Sequence, residues 1–172
     1  STSLLAEAER RRSIDSVRLA YARTLPGVRV AGALQDRVAR VASGAARAGA
    51  TVKQHLPDVD WDSMNRLFGE LVQCITGLFS PGARLSEEQR SLAWYLTSLA
   101  QRDRFAAAWE SFFGVYDALV LPPATTAAFT HRPPGTPLEM DGGTAPYEDQ
   151  GLMLVFCNLL GFPSLTVPAG FD

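Results

Sequence analysis

Two cysteines, two histidines and a single lysine, Lys53, are the side chains most able to do covalent or metal chemistry in this chain. A thiol nucleophile would have to be built from Cys74 or Cys157 with His55 or His131 as its base. Cys157 lies inside the apolar tract Gly151–Leu160, where burial raises a thiol's pKa and quenches its reactivity. Both cysteines therefore read as reduced core thiols. The same residues are the raw material for a metal site, but no C-x-x-C or H-x-x-x-H pair is present to nucleate one, so no metal is expected. The run Asp141-Gly142-Gly143-Thr144 lacks the lysine that follows a phosphate loop and reads as a turn. None of these residues is expected to be catalytic, and no cofactor is implied.

The composition sets further bounds. With 47% hydrophobic and 20% charged residues in 172, the chain is globular in type and long enough for one sizeable core, so one domain over residues 1–172 is expected. Sixteen basic residues against eighteen acidic leave a net charge of −2, with no basic excess for nucleic acid or an anionic membrane surface. Arg10-Arg11-Arg12 is the one basic run and reads as the solvated face of a helical stretch. The tract Gly151–Leu160, interrupted by Asn158, falls well short of the roughly 20 apolar residues that a membrane span needs. Ser1-Thr2-Ser3 has neither an initiator methionine nor the order of a secretory signal, and it reads as a boundary left by processing or truncation. Two unpaired cysteines suit a cytoplasmic location.

The elements that must position these residues follow from periodicity. Val17–Ala22 alternates as a strand, and Leu25-Pro26-Gly27 turns the chain. Leu34, Val38, Val41, Ala42 and Ala45 recur at helical spacing, Gly49 terminates that helix, and Thr51–His55 returns as a short strand. This β-α-β unit predicts two parallel strands. Met64, Leu67, Phe68, Leu71, Val72, Ile75 and Phe79 form a helical stripe capped by Asp58 or Asp60 and ended by Pro81-Gly82. The pair Ser86 and Gln89 reads as a capping box opening a second helical tract. In it Leu92, Tyr95, Leu96, Leu99, Phe105, Ala108, Trp109 and Phe112 are expected on one core face, with a bend near Gln101–Arg104. Asp117–Leu121 is a strand, and 122–148 is a long Pro/Gly/Thr loop of the kind that carries ligand contacts. Gln150–Leu160 is expected as a buried helix capped by Asp149 and ended by Gly161, with Ser164–Val167 as a last strand. The expected fold class is α/β, a mixed β-sheet with packed helices.

Two segments carry a family likeness. Tyr116-Asp117-Ala118-Leu119-Val120-Leu121-Pro122 and Asn158-Leu159-Leu160-Gly161-Phe162-Pro163-Ser164-Leu165-Thr166-Val167-Pro168-Ala169-Gly170 resemble the "yD-x-L-x-x-P" and "N-x-x-G-x-P-x-x-x-V-P-x-G" elements of amidase-signature enzymes. The stretch from Val17 to Leu56-Pro57 is similar to the segment that follows the catalytic core in that family. The resemblance covers about residues 15 to 172, with 61–105 matching in helical type alone. It implies a fragment of the amidase-signature fold, truncated at both ends. The family hydrolyses amide bonds with a serine nucleophile, a second serine on a cis peptide, and a neutral lysine base. That chemistry needs a desolvated lysine and backbone N–H donors from a glycine-rich loop. This sequence has no Ser-Ser pair and no Gly-Ser-Ser-Gly-Gly-like run, and Lys53 falls where the family has a surface strand residue.

The resemblance therefore implies part of an amide hydrolase, with the isolated chain inactive and a small-molecule amide as substrate of the full-length protein. Its contribution would be pocket wall and core. The candidate substrate-binding residues are Thr125, Thr126 and His131 in the long loop, with Tyr147, Asp149 and Gln150 before the last helix. Rival roles stand beside them: Asp149 as a helix cap, Thr125 and Thr126 as turn residues, His131 as a solvated side chain. Other readings are a piece of an amidotransferase subunit, a non-catalytic binding module on an amidase-like scaffold, or an unrelated α/β ligand-binding domain. A sheet completed by strands outside this chain would leave edges and apolar surface open, which favours a homo-oligomer.

Overall fold

The computed structural model describes residues 13–79, 85–87, 89, 91–133 and 135–170. After a 3-10 turn at Ile14–Ser16, the elements are β1 (Arg18–Tyr21), α1 (Gly32–Arg47), β2 (Thr51–Gln54), α2 (Trp61–Phe79), α3 (Leu92–Val115), β3 (Ala118–Val120), β4 (Leu138–Met140), β5 (Gly143–Ala145), a 3-10 helix (Tyr147–Leu154) and α4 (Val155–Leu160). The class is α/β, as expected: a three-stranded parallel sheet of order β2-β1-β3, with a separate antiparallel pair β4-β5. The arginine run at 10–12, the Pro81-Gly82 stop and the last two residues lie outside the described residues.

The β-α-β unit forms as read. Leu19 pairs with Val52 on one side and with Ala118 on the other, which puts β1 at the centre. Leu25 to Val28 closes the turn after β1, with Gly27 at φ 74°. Helix α1 buries Val38 and Ala42 and lies against β1 and β2. Gly49 follows it at φ 110°, a left-handed conformation in which a side chain would be strained. Val41 departs from the expected stripe and is exposed, since its position falls on the flank of the Val38–Ala42 face.

The aspartate of the strand motif has a physical role. Asp117 stands one residue before β3 and its Oδ2 accepts from the Arg18 backbone N–H at 2.8 Å, while Oδ1 takes Arg18 Nη2 at 3.4 Å. The Asp117 N–H in turn donates to the Arg18 carbonyl at 2.8 Å. These bonds fix the register at which β3 enters the sheet.

Helix α2 is capped by Asp60, whose Oδ1 accepts the Ser63 N–H at 3.0 Å. That hydrogen bond holds the Asp60 carboxyl below its usual range. Met64, Leu67 and Leu71 are buried as expected, but Val72 and Ile75 run on past the core into solvent. The capping box at 86–89 closes in both directions, Gln89 N–H to Ser86 Oγ at 3.1 Å and Ser86 N–H to Gln89 Oε1 at 3.0 Å. It does not open the next helix, however. Helix α3 begins at Leu92 with its own cap, Ser91 Oγ accepting the Trp94 N–H at 3.0 Å.

Two expectations for α3 are corrected. It runs unbroken through Gln101–Arg104, where neither Pro nor Gly interrupts the backbone hydrogen bonds. Its core face is set by Trp94, Ser98, Phe105, Trp109, Phe112 and Tyr116, whereas Leu92, Tyr95 and Leu96 are exposed. Leu92 and Leu96 each precede a core position by two residues, which is about 200° around a helix of 3.6 residues per turn.

Trp109 is wholly buried at the centre of the core. Phe156 of α4 stacks on it at 4.2 Å, and Trp61 of α2 and Phe112 meet it edge-on at 5.7 and 5.9 Å. Ala20 of β1 and the turn residues Leu25, Val28 and Val30 complete this cluster.

The stretch 122–148 is not the unbroken loop expected. It contains the β4-β5 hairpin, with Leu138 opposite Ala145 and Met140 opposite Gly143. Asp141 and Gly142 join the strands with positive φ of 49° and 72°, the conformation of a two-residue type I′ turn. Downstream, the expected helix is split into a 3-10 segment and the short α4. Its cap is Pro146 rather than Asp149, which lies in the first turn. Gly161 ends α4 at φ 76°, as its position implied. Ser164–Val167 is no strand: no β partner lies beside it among the described residues, and Leu165 and Val167 are 86% and 62% exposed. Gly170, at φ 130°, passes so close to the Arg37 guanidinium that a Cβ there would collide with it.

The packing around Trp109 predicts its mutational cost. Trp109→Ala is expected to destabilise the chain by about 3–5 kcal/mol in urea unfolding, through the cavity it leaves. Trp109→Phe should cost clearly less, because it keeps much of the ring packing and removes an indole N–H that has no acceptor among the described residues.

Candidate functional site

In parallel α/β sheets, ligands sit beyond the carboxyl ends of the strands, where the connecting loops gather. Here β1 leaves into 22–31, β2 into 55–60 and β3 into 121–137. The first loop is stitched to the end of β3 and to the loop that follows it: Ala22 N–H donates to the Val120 carbonyl at 3.0 Å, and Ala31 N–H to the Thr125 carbonyl at 2.8 Å. A cleft of about 300 Å³ opens on this edge between the ends of β1 and β2, lined by Tyr21, Ala22, Arg23, Thr24, Gln54, His55 and Leu56.

The cleft brings together several hydrogen-bonding groups. Tyr21 Oη donates to Gln54 Oε1 at 3.4 Å, which leaves the Gln54 amide N–H groups as donors. Arg23 pairs with Asp36 at 2.5 Å, and its buried Nε has no partner among the described residues. The His55 ring rests against Phe112 and Tyr116 at 5.7 and 5.5 Å, which ties this cleft residue to the aromatic core. Sequence reasoning passed over Tyr21, Arg23 and Gln54 and weighed His55 only against the cysteines. The available signal was their place at the ends of two parallel strands.

The six candidate residues divide by surroundings. Thr125 is wholly buried, and its hydroxyl accepts from Gln150 Nε2. These two meet each other across 25 positions of sequence and tie the loop to the 3-10 helix. Thr126 is half-buried and its hydroxyl bonds the Ala127 carbonyl at 2.9 Å, a turn contact. Tyr147 is half-buried, with its ring edge-on to Phe129 at 6.0 Å, and Arg132 lies over the other ring at 5.9 Å. Asp149 is half-buried, its N–H donating to the Pro146 carbonyl at 3.3 Å. His131 is exposed on the loop. Thr125 and Gln150 thus form one linked unit, Tyr147 and Phe129 a second, and His131 stands apart.

The remaining reactive groups are accounted for by position. Lys53 lies on β2 with its side chain in solvent. Both cysteines are free thiols, and burial pushes Cys157 above the usual thiol range. Among the described residues no three His, Cys, Asp or Glu side chains converge as metal ligands, and no helix is long and apolar enough to cross a membrane.

The aspartate-led strand β3 and the Gly161-Pro163 corner after α4 both fall within one family of proteins. The amidase family model matches residues 58–172, from the start of α2 through the tail. This chain belongs to the amidase family. The match begins after the β-α-β unit, so the likeness read for 17–57 lies outside it. Among curated proteins, none matches the chain.

Two outcomes follow from this geometry. Thr125→Val should leave the Gln150 amide without its acceptor and lower stability by about 1–3 kcal/mol in urea unfolding, while Thr125→Ser should largely retain it. Cys157 should react with iodoacetamide at pH 8 more slowly than an unstructured cysteine, because burial disfavours its thiolate; addition of denaturant should bring the rates together, as read by mass spectrometry.

Proposed function

We propose that this chain is part of an amide hydrolase of the amidase-signature type, in which it supplies pocket wall and core while the nucleophile and base come from sequence outside it. The observation that carries this reading is the family match over 58–172, which takes in both the Asp117 strand and the glycine-proline corner after α4. In such a reaction a serine oxygen attacks the amide carbonyl, the C–N bond breaks as the nitrogen takes up a proton, and water then cleaves the acyl-enzyme to a carboxylic acid. An acid and an amine, or ammonia, are the products.

The expected role of the present residues is recognition. Tyr147 with Phe129 offers an apolar edge for an acyl group, Asp149 two residues on offers a polar contact, and His131 offers a further one from the exposed loop. The buried Thr125–Gln150 link acts by holding these in place. The substrate is a small-molecule amide in the full-length protein, and no cofactor or nucleic acid has a part in the reaction.

The test is amide turnover. The purified 172-residue chain, offered a panel of aliphatic and aromatic primary amides, should release no ammonia. A longer product of the same reading frame that also carries a serine–lysine region should release ammonia and form hydroxamates when hydroxylamine is added. Turnover by the 172-residue chain alone, or absence of any serine–lysine region in that frame, would sink the proposal; the second result would favour a non-catalytic binding module.

A further inference from the structure

The hairpin β4-β5 has strands of three residues each. Two-stranded ribbons of this size are marginal in water without outside support. The support comes from the loop that leaves β1, through two side chains more than 100 positions apart in sequence. Arg29 Nη1 donates to the Thr144 carbonyl at 3.1 Å and Nη2 to the Met140 carbonyl at 3.0 Å, so one guanidinium spans both strands. Lysine could not reproduce this planar, two-pronged contact. From the other side, Asp141 at the hairpin tip accepts the Gly32 N–H at 2.9 Å. Gly32 is the first residue of α1, whose own cap position is Ala31, a residue with no side-chain acceptor. The helix therefore takes its capping carboxylate from the hairpin, where the N–H groups of a first turn favour a negative charge.

The fit leaves little latitude. A Cβ on Gly143 would come within 3.1 Å of Arg29 Nη1, and Asp141 holds φ 49°, a conformation that Asp and Asn tolerate better than other side chains. Ala31 N–H adds the third crossing, to the Thr125 carbonyl. Residues 29, 31 and 32 thus hold the segment that contains the candidate pocket residues at two places, Thr125 and the hairpin at 140–144.

We infer that Arg29 and Asp141 are positioning residues, a latch that fixes the β4-β5 hairpin on the β1–α1 loop and so sets the placement of the 125–150 pocket wall. This rests on the reading of that segment as part of an amidase pocket. The latch touches no substrate; it acts through Thr125, Tyr147 and their neighbours.

The test has two independent arms. In hydrogen–deuterium exchange on the purified chain, Arg29→Ala and Asp141→Ala should each speed exchange in 138–150 and at the start of α1 at least ten-fold, with the amides around Trp109 unchanged. Asp141→Asn, which keeps an acceptor and tolerates the turn, should stay close to the parent, and Arg29→Lys should behave like Arg29→Ala. Unchanged exchange in 138–150, or an equal rise throughout the core, overturns the latch. In the longer, catalytically complete protein the same variants should raise KM several-fold for an amide substrate with a smaller change in kcat. Exchange altered as expected while KM and kcat stay at parental values overturns the positioning role. Absence of hydrolysis by the parent itself refutes the amidase reading instead, and the exchange arm still decides the latch.

Discussion

The stacking of Phe156 on Trp109 is the contact from which the rest of the structure can be built outward. Trp109 is wholly buried, and the rings around it come from three helices: Trp61 from α2, Phe112 and Phe113 from α3 itself, Phe156 from α4. Large aromatic rings bury extensive area in fixed orientations, so such a nest sets both the distance and the angle at which its helices cross. Because α3 also delivers Asp117 to Arg18, the nest and the sheet are indexed to each other within a few residues. The core cluster thereby fixes where β3 ends and where the loop at 121 begins.

What that indexing achieves is a defined edge. The loops after β1 and β3 emerge side by side and are joined by backbone hydrogen bonds and by the contacts of Arg29 and Asp141. A segment rich in Pro, Gly and Thr would otherwise lose much conformational entropy on ordering, with little apolar burial to offset it. Here Leu138, Met140 and Ala145 give the hairpin a buried face, and the polar bonds hold its other side. The family's strand and corner motifs are mostly structural on this view. Asp117 sets register, Gly161 lets the chain leave α4, and Gly170 clears the Arg37 side chain.

Some of the architecture was open to a reading of the residues alone. Val17–Ala22, the helix ending at Gly49 and the return at Thr51 are local signals: alternation, periodicity and a left-handed glycine, each set by steric limits on a few neighbouring residues. The α/β class and the amidase likeness follow from the same local evidence. The hairpin was within reach too, since Asp-Gly is a strong turn signal. It was missed because Leu138–Met140 and Gly143–Ala145 are too short to show a period.

Tertiary contact decided the rest. Periodicity can nominate an apolar face but cannot say where the core stops, so Val72, Ile75, Leu92 and Leu96 looked as deserving of burial as Leu71 and Trp109. A strand exists only beside a partner, and Ser164–Val167, for all its alternation, has none among the described residues. The candidate site shows the same division. Sequence chose the loop at 125–150 for its composition, but only the fold could pair Thr125 with Gln150, give Asp141 to α1 as its cap, and gather Tyr21, Arg23, Gln54 and His55 at one end of the sheet. Local sterics are written in neighbouring residues, whereas a contact between distant ones is settled only when the whole chain has packed.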